Sequence, residues 1–226
     1  GHGLLEIANI VKDEVELIII DSYFEAMKLR KDGIKNSLLI IGYARPENIN
    51  NGKLKNISYT ITSLHILKEI KEKISIHLKI DTGMHRQGIL LEEIDEAFDY
   101  IKKNKNIILE GICSHLSDAD NSHTSFTQKQ IALWNTVVKK FQENFNAIKY
   151  IHISNTYGHI FHKEITANTS RLGIGLYGLT NIEGLELRPA LEMKTIITGI
   201  KKIKKGESVG YNNTFISKEN MILATI

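Results

Sequence analysis

Apolar residues recur along the chain with two alternating periods. Short β-branched runs predict strands over residues 15–21, 37–42, 57–62, 74–81, 107–115, 150–155 and 171–177. Between them apolar side chains return every three or four positions, as on one face of a helix. Ile94, Ala97, Phe98 and Ile101 make one stripe, with Glu92, Glu93 and Asp95 at its start and Lys102 and Lys103 at its end, the polarity a helix dipole favours. Ile131, Trp134, Val138 and Phe141 make a second, with Ser122 and Thr124 as cap candidates. Leu64, Leu67 and Ile70 make a shorter third.

Strands alternating with helices imply parallel strands joined by right-handed crossovers, hence an open doubly wound sheet or a closed barrel. The segment 74–81 chooses between them. Its Ile74, Ile76, Leu78 and Ile80 alternate with Ser75, His77, Lys79 and Asp81, so one face is apolar and the other ionisable. A central strand covered by helices on both faces should be apolar on both. A barrel strand can pack its apolar face on helices and turn polar groups inward, near the active mouth. The prediction is an α/β chain with a TIM-type (β/α)8 barrel. Near Leu187 the rhythm changes: no further helix pattern appears, and residues 193–203 and 207–215 read as two strands about a Lys-Lys-Gly turn. Residues 1–186 are therefore expected to form the barrel and 187–226 the beginning of an all-β domain. A full barrel typically takes about 250 residues, so the first strand is expected to be missing and the second domain truncated.

Composition narrows the function. With 226 residues, 42% hydrophobic and 24% charged, the chain excludes a fibre, a disordered tail and a disulfide miniprotein. Net charge is +3 and the lysines are dispersed, so no basic stripe supports nucleic-acid or anionic-membrane binding. Cys113 stands alone, which rules out an internal disulfide and a thiolate metal site and favours a reducing, cytoplasmic setting. No apolar run approaches the roughly 20 residues of a membrane span. Gly1-His2-Gly3 opens the chain without a methionine or a charged leader, so no secretory signal is read and a processed or truncated start is expected.

Four groups of residues have the means for chemistry. Lys79, Asp81 and Arg86 stand at a strand end and in the loop bracketed by Gly83 and Gly88, where barrel enzymes place catalytic groups; a structural ion-pair network is the competing reading. His115 precedes Asp118 and Asp120, but this spacing matches no metal-ligand pattern, and a neutral imidazole facing a bound ring or a hydrogen-bond network is expected instead of a metal. Ser154-Asn155-Thr156 ends another strand with hydroxyls and backbone N–H groups suited to a phosphate. Arg171 heads a segment in which Gly173 and Gly175 permit close backbone approach, at the barrel position where phosphates often bind; the three-glycine dinucleotide spacing is absent.

Taken together and in order, these segments resemble bacterial alanine racemases, the fold-type III enzymes that use pyridoxal 5'-phosphate. His77-Leu78-Lys79-Ile80-Asp81-Thr82-Gly83-Met84-His85-Arg86-Gln87-Gly88 is similar to the family's lysine-and-arginine motif. Gly1-His2-Gly3 resembles the end of its cofactor-lysine motif, residues 22–30 its Glu-Ala and Leu-Arg segment, and residues 171–179 its Arg-x-Gly-Ile-x-x-Tyr-Gly-Leu stretch. Lys205-Gly206-Glu207, Val209-Gly210-Tyr211 and Thr214-Phe215 resemble the start of its C-terminal β-domain.

The resemblance implies interconversion of L- and D-alanine through an aldimine of the cofactor, supplying D-alanine for cell-wall peptidoglycan, by a homodimer acting on a small amino-acid substrate. It implies that Arg171 meets the pyridine nitrogen, that His115 lies near the ring, and that Asn155, Thr156, Gly173 and Ile174 surround the phosphate, Thr156 standing where serine is usual. Lys79 resembles a lysine carbamylated in many members (N6-carboxylysine), which would orient Arg86 toward the substrate carboxylate; Met84 matches a substrate contact. The Schiff-base lysine is implied just before Gly1, and the opposite tyrosine base beyond Ile226, so neither proton-transfer residue is in the chain and the piece is expected to be inactive. An open barrel edge would also favour its aggregation. A serine or broad-specificity racemase with a membrane-tethered extension, with which His85 is compatible, remains an alternative. A non-catalytic pyridoxal-phosphate-binding barrel and a barrel enzyme for an unrelated phosphorylated substrate remain as well.

Overall fold

The computed structural model describes residues 2–121 and 125–226. Gly1 and the cap candidates Ser122 and Thr124 lie outside the described residues. The chain divides into two units, Gly1–Arg188 and Pro189–Ile226.

In the first unit, strands β1 (Leu17–Ile20), β2 (Ser37–Ile40), β3 (Ile57–Ile61), β4 (Ile74–Lys79), β5 (Ile107–Cys113) and β6 (Tyr150–His152) form one sheet in chain order. Every neighbouring pair is parallel. Helices α1 (Leu4–Val11), α2 (Tyr23–Lys31), α3 (Pro46–Ile49), α4 (Leu64–Lys68), α5 (Ile94–Lys103) and α6 (Ser125–Asn144) provide the remaining layer, so the unit is a partial TIM barrel. Helix α2 begins on a capping box: Ser22 Oγ accepts from the Glu25 N–H at 3.3 Å, and Glu25 accepts from the Ser22 N–H at 3.2 Å. From the same helix Arg30 donates to the carbonyls of Ile34, Asn36, Lys55 and Asn56, tying the loops before β2 and β3 together.

The alternation along β4 sorts its residues between two environments. Ile74, Ile76, Leu78 and Ile80 join one apolar cluster with Leu67, Phe98, Trp134 and Phe141 from α4, α5 and α6. Ile76, Leu78 and Ile80 are fully buried, each stabilising the fold by about 1.5–3 kcal/mol relative to exposure. On the other side of the sheet lie Ser58, His77, Lys79, Glu110, His152 and Ser154. This polar interior is what distinguishes the barrel from an open doubly wound sheet.

Two expected strand assignments are corrected. Residues 171–177 do not form a seventh strand: the Arg171 N–H bonds to the Ser154 carbonyl at 3.0 Å, and the chain then closes a 3-10 turn over Ile174–Tyr177. Leu172, Ile174 and Leu176 alternate as a strand would, but the N–H groups of Gly173 and Gly175 go to the Thr156 hydroxyl instead of a ladder. In the second unit, residues 193–203 and 207–215 do not pair with each other. Strand β7 (Gly199–Ile203) pairs antiparallel with β10 (Met221–Thr225), and β8 (Ser208–Val209) with β9 (Phe215–Ile216). Positive φ at Gly210, Asn212 and Asn213 turns the chain back inside the segment expected to be extended.

Candidate active site

The C-terminal ends of β4, β5 and β6 bring Lys79, Cys113 and His152 to one rim, with Ser114, His115, Ser154 and Thr156 just beyond. Arg171 reaches across it. One guanidinium nitrogen donates to the His152 carbonyl at 3.2 Å and lies 2.6 Å from His152 Nδ1. The other donates to the carbonyls of Ser114 and Ile153, each at 2.8 Å, and lies 3.0 Å from His115 Nδ1. A guanidinium has only donors, so His115 Nδ1 must accept and its single proton sits on Nε2. Burial and then the charges of Arg171, Arg86 and Lys79 lower the His115 pKa to about 4. With its pKa there the imidazole is neutral at pH 7, and its Nδ1 faces the Arg171 guanidinium.

The loop after β4 is organised by Asp81. Its Oδ1 accepts from the N–H groups of Gly83 at 2.9 Å and His85 at 3.1 Å, and its Oδ2 lies 3.6 Å from His85 Nδ1. Burial would raise the carboxyl, but these N–H groups hold it below the ordinary range. Asp81 therefore shapes the loop that presents half-buried Met84 and exposed Arg86. Lys79 is half-buried, and among the described residues its amine makes no hydrogen bond or ion pair. Burial, with Arg86 and Arg171 nearby, lowers its pKa.

Thr156 forms the centre of the third group. It is buried, and its Oγ1 accepts from both Gly173 and Gly175 N–H groups at 3.2 Å. Asn155 Oδ1 accepts from the Gly158 N–H at 2.8 Å, holding the turn that follows β6. A Cβ on Gly173 would approach nothing closer than 3.9 Å, so that backbone is open on one side. Both N–H groups thus converge on the Thr156 oxygen, which keeps its own O–H as a donor. Nearby, the His2 ring stacks on Tyr177 with centroids 4.0 Å apart, which places His2 beside the segment that follows Arg171.

Sequence reading missed several residues of this rim. Gln130, on α6, is buried and donates to the His115 carbonyl at 2.8 Å and to Thr82 Oγ1 at 3.2 Å, while its Oε1 accepts from the Ser117 N–H at 3.2 Å. Thr82 in turn meets Ser114 Oγ at 2.7 Å. These bonds lock the loop after β4 to the loop after β5. A polar residue inside the apolar stripe of α6 was the one available signal. His152, Glu110 and Tyr150 were missed too; they are met only through strand pairing.

The description of the alanine racemase N-terminal domain matches residues 1–181. The chain belongs to the alanine racemase family. It is 33% identical over 240 residues to the alanine racemase of Methanococcus maripaludis, covering all of this chain and 64% of that protein. It is 36% identical over 224 residues to the enzyme of Fusobacterium nucleatum, covering 95% of this chain and 62% of that one. The chain thus spans somewhat under two thirds of these relatives. Among solved structures, alanine racemase of Clostridium difficile 630 superposes with a TM-score of 0.83 at 29% identity, over 99% of this chain and 62% of that one. The Bacillus anthracis alanine racemase with bound L-Ala-P gives 0.85 at 26% identity, over 99% and 62%.

Proposed function

We propose that this chain supplies the cofactor and substrate framework of an amino-acid racemase that interconverts L- and D-alanine with pyridoxal 5'-phosphate. The observation that carries this reading is Arg171, a donor-only cation fixed at the strand ends by three carbonyls and two imidazoles. A ring nitrogen facing it would receive a hydrogen bond without gaining a proton. A second point of support is the segment around Thr156, whose O–H remains a donor and whose neighbours Gly173 and Ile174 would border the cofactor phosphate, with Asn155 holding the adjoining turn. Bound there, pyridoxal phosphate would acidify the amino acid's α-carbon proton and so permit its exchange between faces.

The chain's own residues orient the reactants. His115 presents its Nε2–H, Arg86 supplies a carboxylate-binding guanidinium, and Met84 borders the substrate. Lys79, as an uncharged amine, adds carbon dioxide to give a carbamate and a released proton, placing an anion near Arg86 and Arg171. Asp81 is assigned to the loop that carries these groups. The resemblance assigns no Schiff-base lysine and no tyrosine base within these residues, so the chain by itself is proposed to be inactive, and catalysis to belong to a homodimer of the whole protein. D-alanine for peptidoglycan is the proposed product use and the cytoplasm the proposed setting. Incubating the full-length protein and its cofactor with L-alanine, and assaying D-alanine with a stereospecific oxidase, tests the reading. D-alanine formation supports it; cofactor binding without racemisation overturns it. His85 is compatible with the serine or broad-specificity alternative, which a competition of kcat/KM values for alanine and serine decides.

A further inference from the structure

Beneath Arg171 runs a line of buried polar groups, of which only His152 figures in the function proposed above. His152 Nε2 lies 2.8 Å from His77 Nδ1, and His77 Nε2 lies 3.8 Å from Glu110 Oε2, which also accepts from Ser58 Oγ. His77 is fully buried and His152 nearly so. No partner within hydrogen-bonding distance satisfies His77 Nε2, whose facing carboxylate is Glu110.

The proton positions in this line follow from Arg171. Its guanidinium cannot accept, so His152 Nδ1 must, which leaves the single His152 proton on Nε2. That N–H donates to His77 Nδ1, which places the His77 proton on Nε2, directed at Glu110. Both imidazoles are neutral, and every donor points from the arginine toward the carboxylate. Burial lowers both imidazoles, away from the protonated form; Arg171 adds to this at both, while Glu110 opposes it at His77.

The sheet is shaped around this line. Leu109 pairs with Ile76 and Gly111 with His77, leaving Glu110 as the extra residue of a β-bulge, a device that re-aims a side chain. At the adjacent position a Cβ on Gly111 would fall 2.7 Å from His77 Nδ1, so only glycine leaves room for the ring. Tyr150 stacks on the same imidazole, with centroids 5.3 Å apart.

We infer that Glu110 is a positioning residue for Arg171, acting through His77 and His152 to fix their proton positions and to balance the guanidinium from within the barrel. Its consequence for catalysis rests on the reading that Arg171 meets a cofactor ring; the proton arrangement does not. Nitrogen-15 NMR of the full chain without cofactor reads the imidazole tautomers directly, so it separates this inference from the racemase reading, which the D-alanine assay tests. Both histidines are expected as neutral Nε2–H forms at neutral pH. Glu110→Gln, whose amide oxygen still accepts, should keep both tautomers; Glu110→Leu should shift His77 to a mixture and move the Arg171 side-chain resonances. A proton on His152 Nδ1, or an unchanged His77 in Glu110→Leu, overturns the inference. Should Glu110→Leu not fold, acid titration of the unmodified chain decides. The groups facing His77 are Glu110 from β5, His152 and Tyr150 from β6, and Arg171 beyond them. The His77 Nε2 resonance must follow the Glu110 carboxyl as it protonates, and independence of the two overturns the inference.

Discussion

Gly175 lies so close to Thr156 that a Cβ built on the glycine would sit 2.7 Å from the threonine's Cγ2. The threonine methyl therefore fills the space that a larger residue at 175 would need. Gly175→Ala is expected to destabilise the chain by about 1–3 kcal/mol, the usual cost of overpacking. Thr156→Ser removes that methyl and keeps the hydroxyl, so the double variant should recover most of the loss. A double-mutant cycle by urea denaturation measures the coupling; additive losses would show that the two residues do not crowd each other.

Gln130 binds two loops with one amide, and its removal should be felt in both. Gln130→Leu leaves the Ser117 N–H and the His115 carbonyl without that partner; the half-buried His115 carbonyl should cost about 1–3 kcal/mol, and the N–H of exposed Ser117, which water can reach, less. Hydrogen exchange should quicken at Ser117 and along the loop after β4 together. Faster exchange in only one of them would mean that the amide is not a clamp.

Stability should fall in mild acid. His115 titrates near 4 in the folded chain against 6.5 when unfolded, so below 6.5 the unfolded state takes up the proton first. Its contribution is intact above pH 6.5 and is lost progressively down to about 4; His77 and His152 are shifted in the same direction. Denaturant midpoints should decline across this window, and His115→Asn should make the decline shallower. A midpoint that rises on acidification contradicts the assignment of these histidines as neutral.

Lys79 should carry a carboxyl group when the full-length protein is kept in bicarbonate. Native mass spectrometry, with Lys79→Arg as the control that cannot form a carbamate, reads the added mass. An unmodified amine throughout removes Lys79 from the role proposed for it.

The six paired strands and the helix stripes of α4, α5 and α6 were legible because burial on one face imposes a period on the sequence. Helix α2 left a different trace, the Ser22-to-Glu25 capping box, while its apolar period is blurred by an exposed Phe24. Residues 171–177 misled because alternating Leu172, Ile174 and Leu176 satisfy the strand pattern while the intervening glycine N–H groups are committed to a side chain. In the candidate site, Arg171, Thr156 and the loop of Lys79 and Arg86 were readable from motif order. Glu110 and His152 were not: a bulge and a strand pairing bring them to His77, and no local period records either.

The loop between β4 and Ile89 is fastened at its root. The Asp81 N–H bonds to the Ile89 carbonyl at 3.0 Å, and the Ile89 N–H returns to the Lys79 carbonyl at 2.8 Å. Gly88 makes that closure, with φ +142° and a missing Cβ that would lie 2.5 Å from Asp81 N. Substitutions between Gly83 and Gly88 should thus leave the barrel strands in register, whatever they do to the substrate contacts proposed for Met84 and Arg86. Directed evolution of substrate choice has, at this loop, a place to work whose cost to the scaffold is small, provided Asp81 and Gly88 stay.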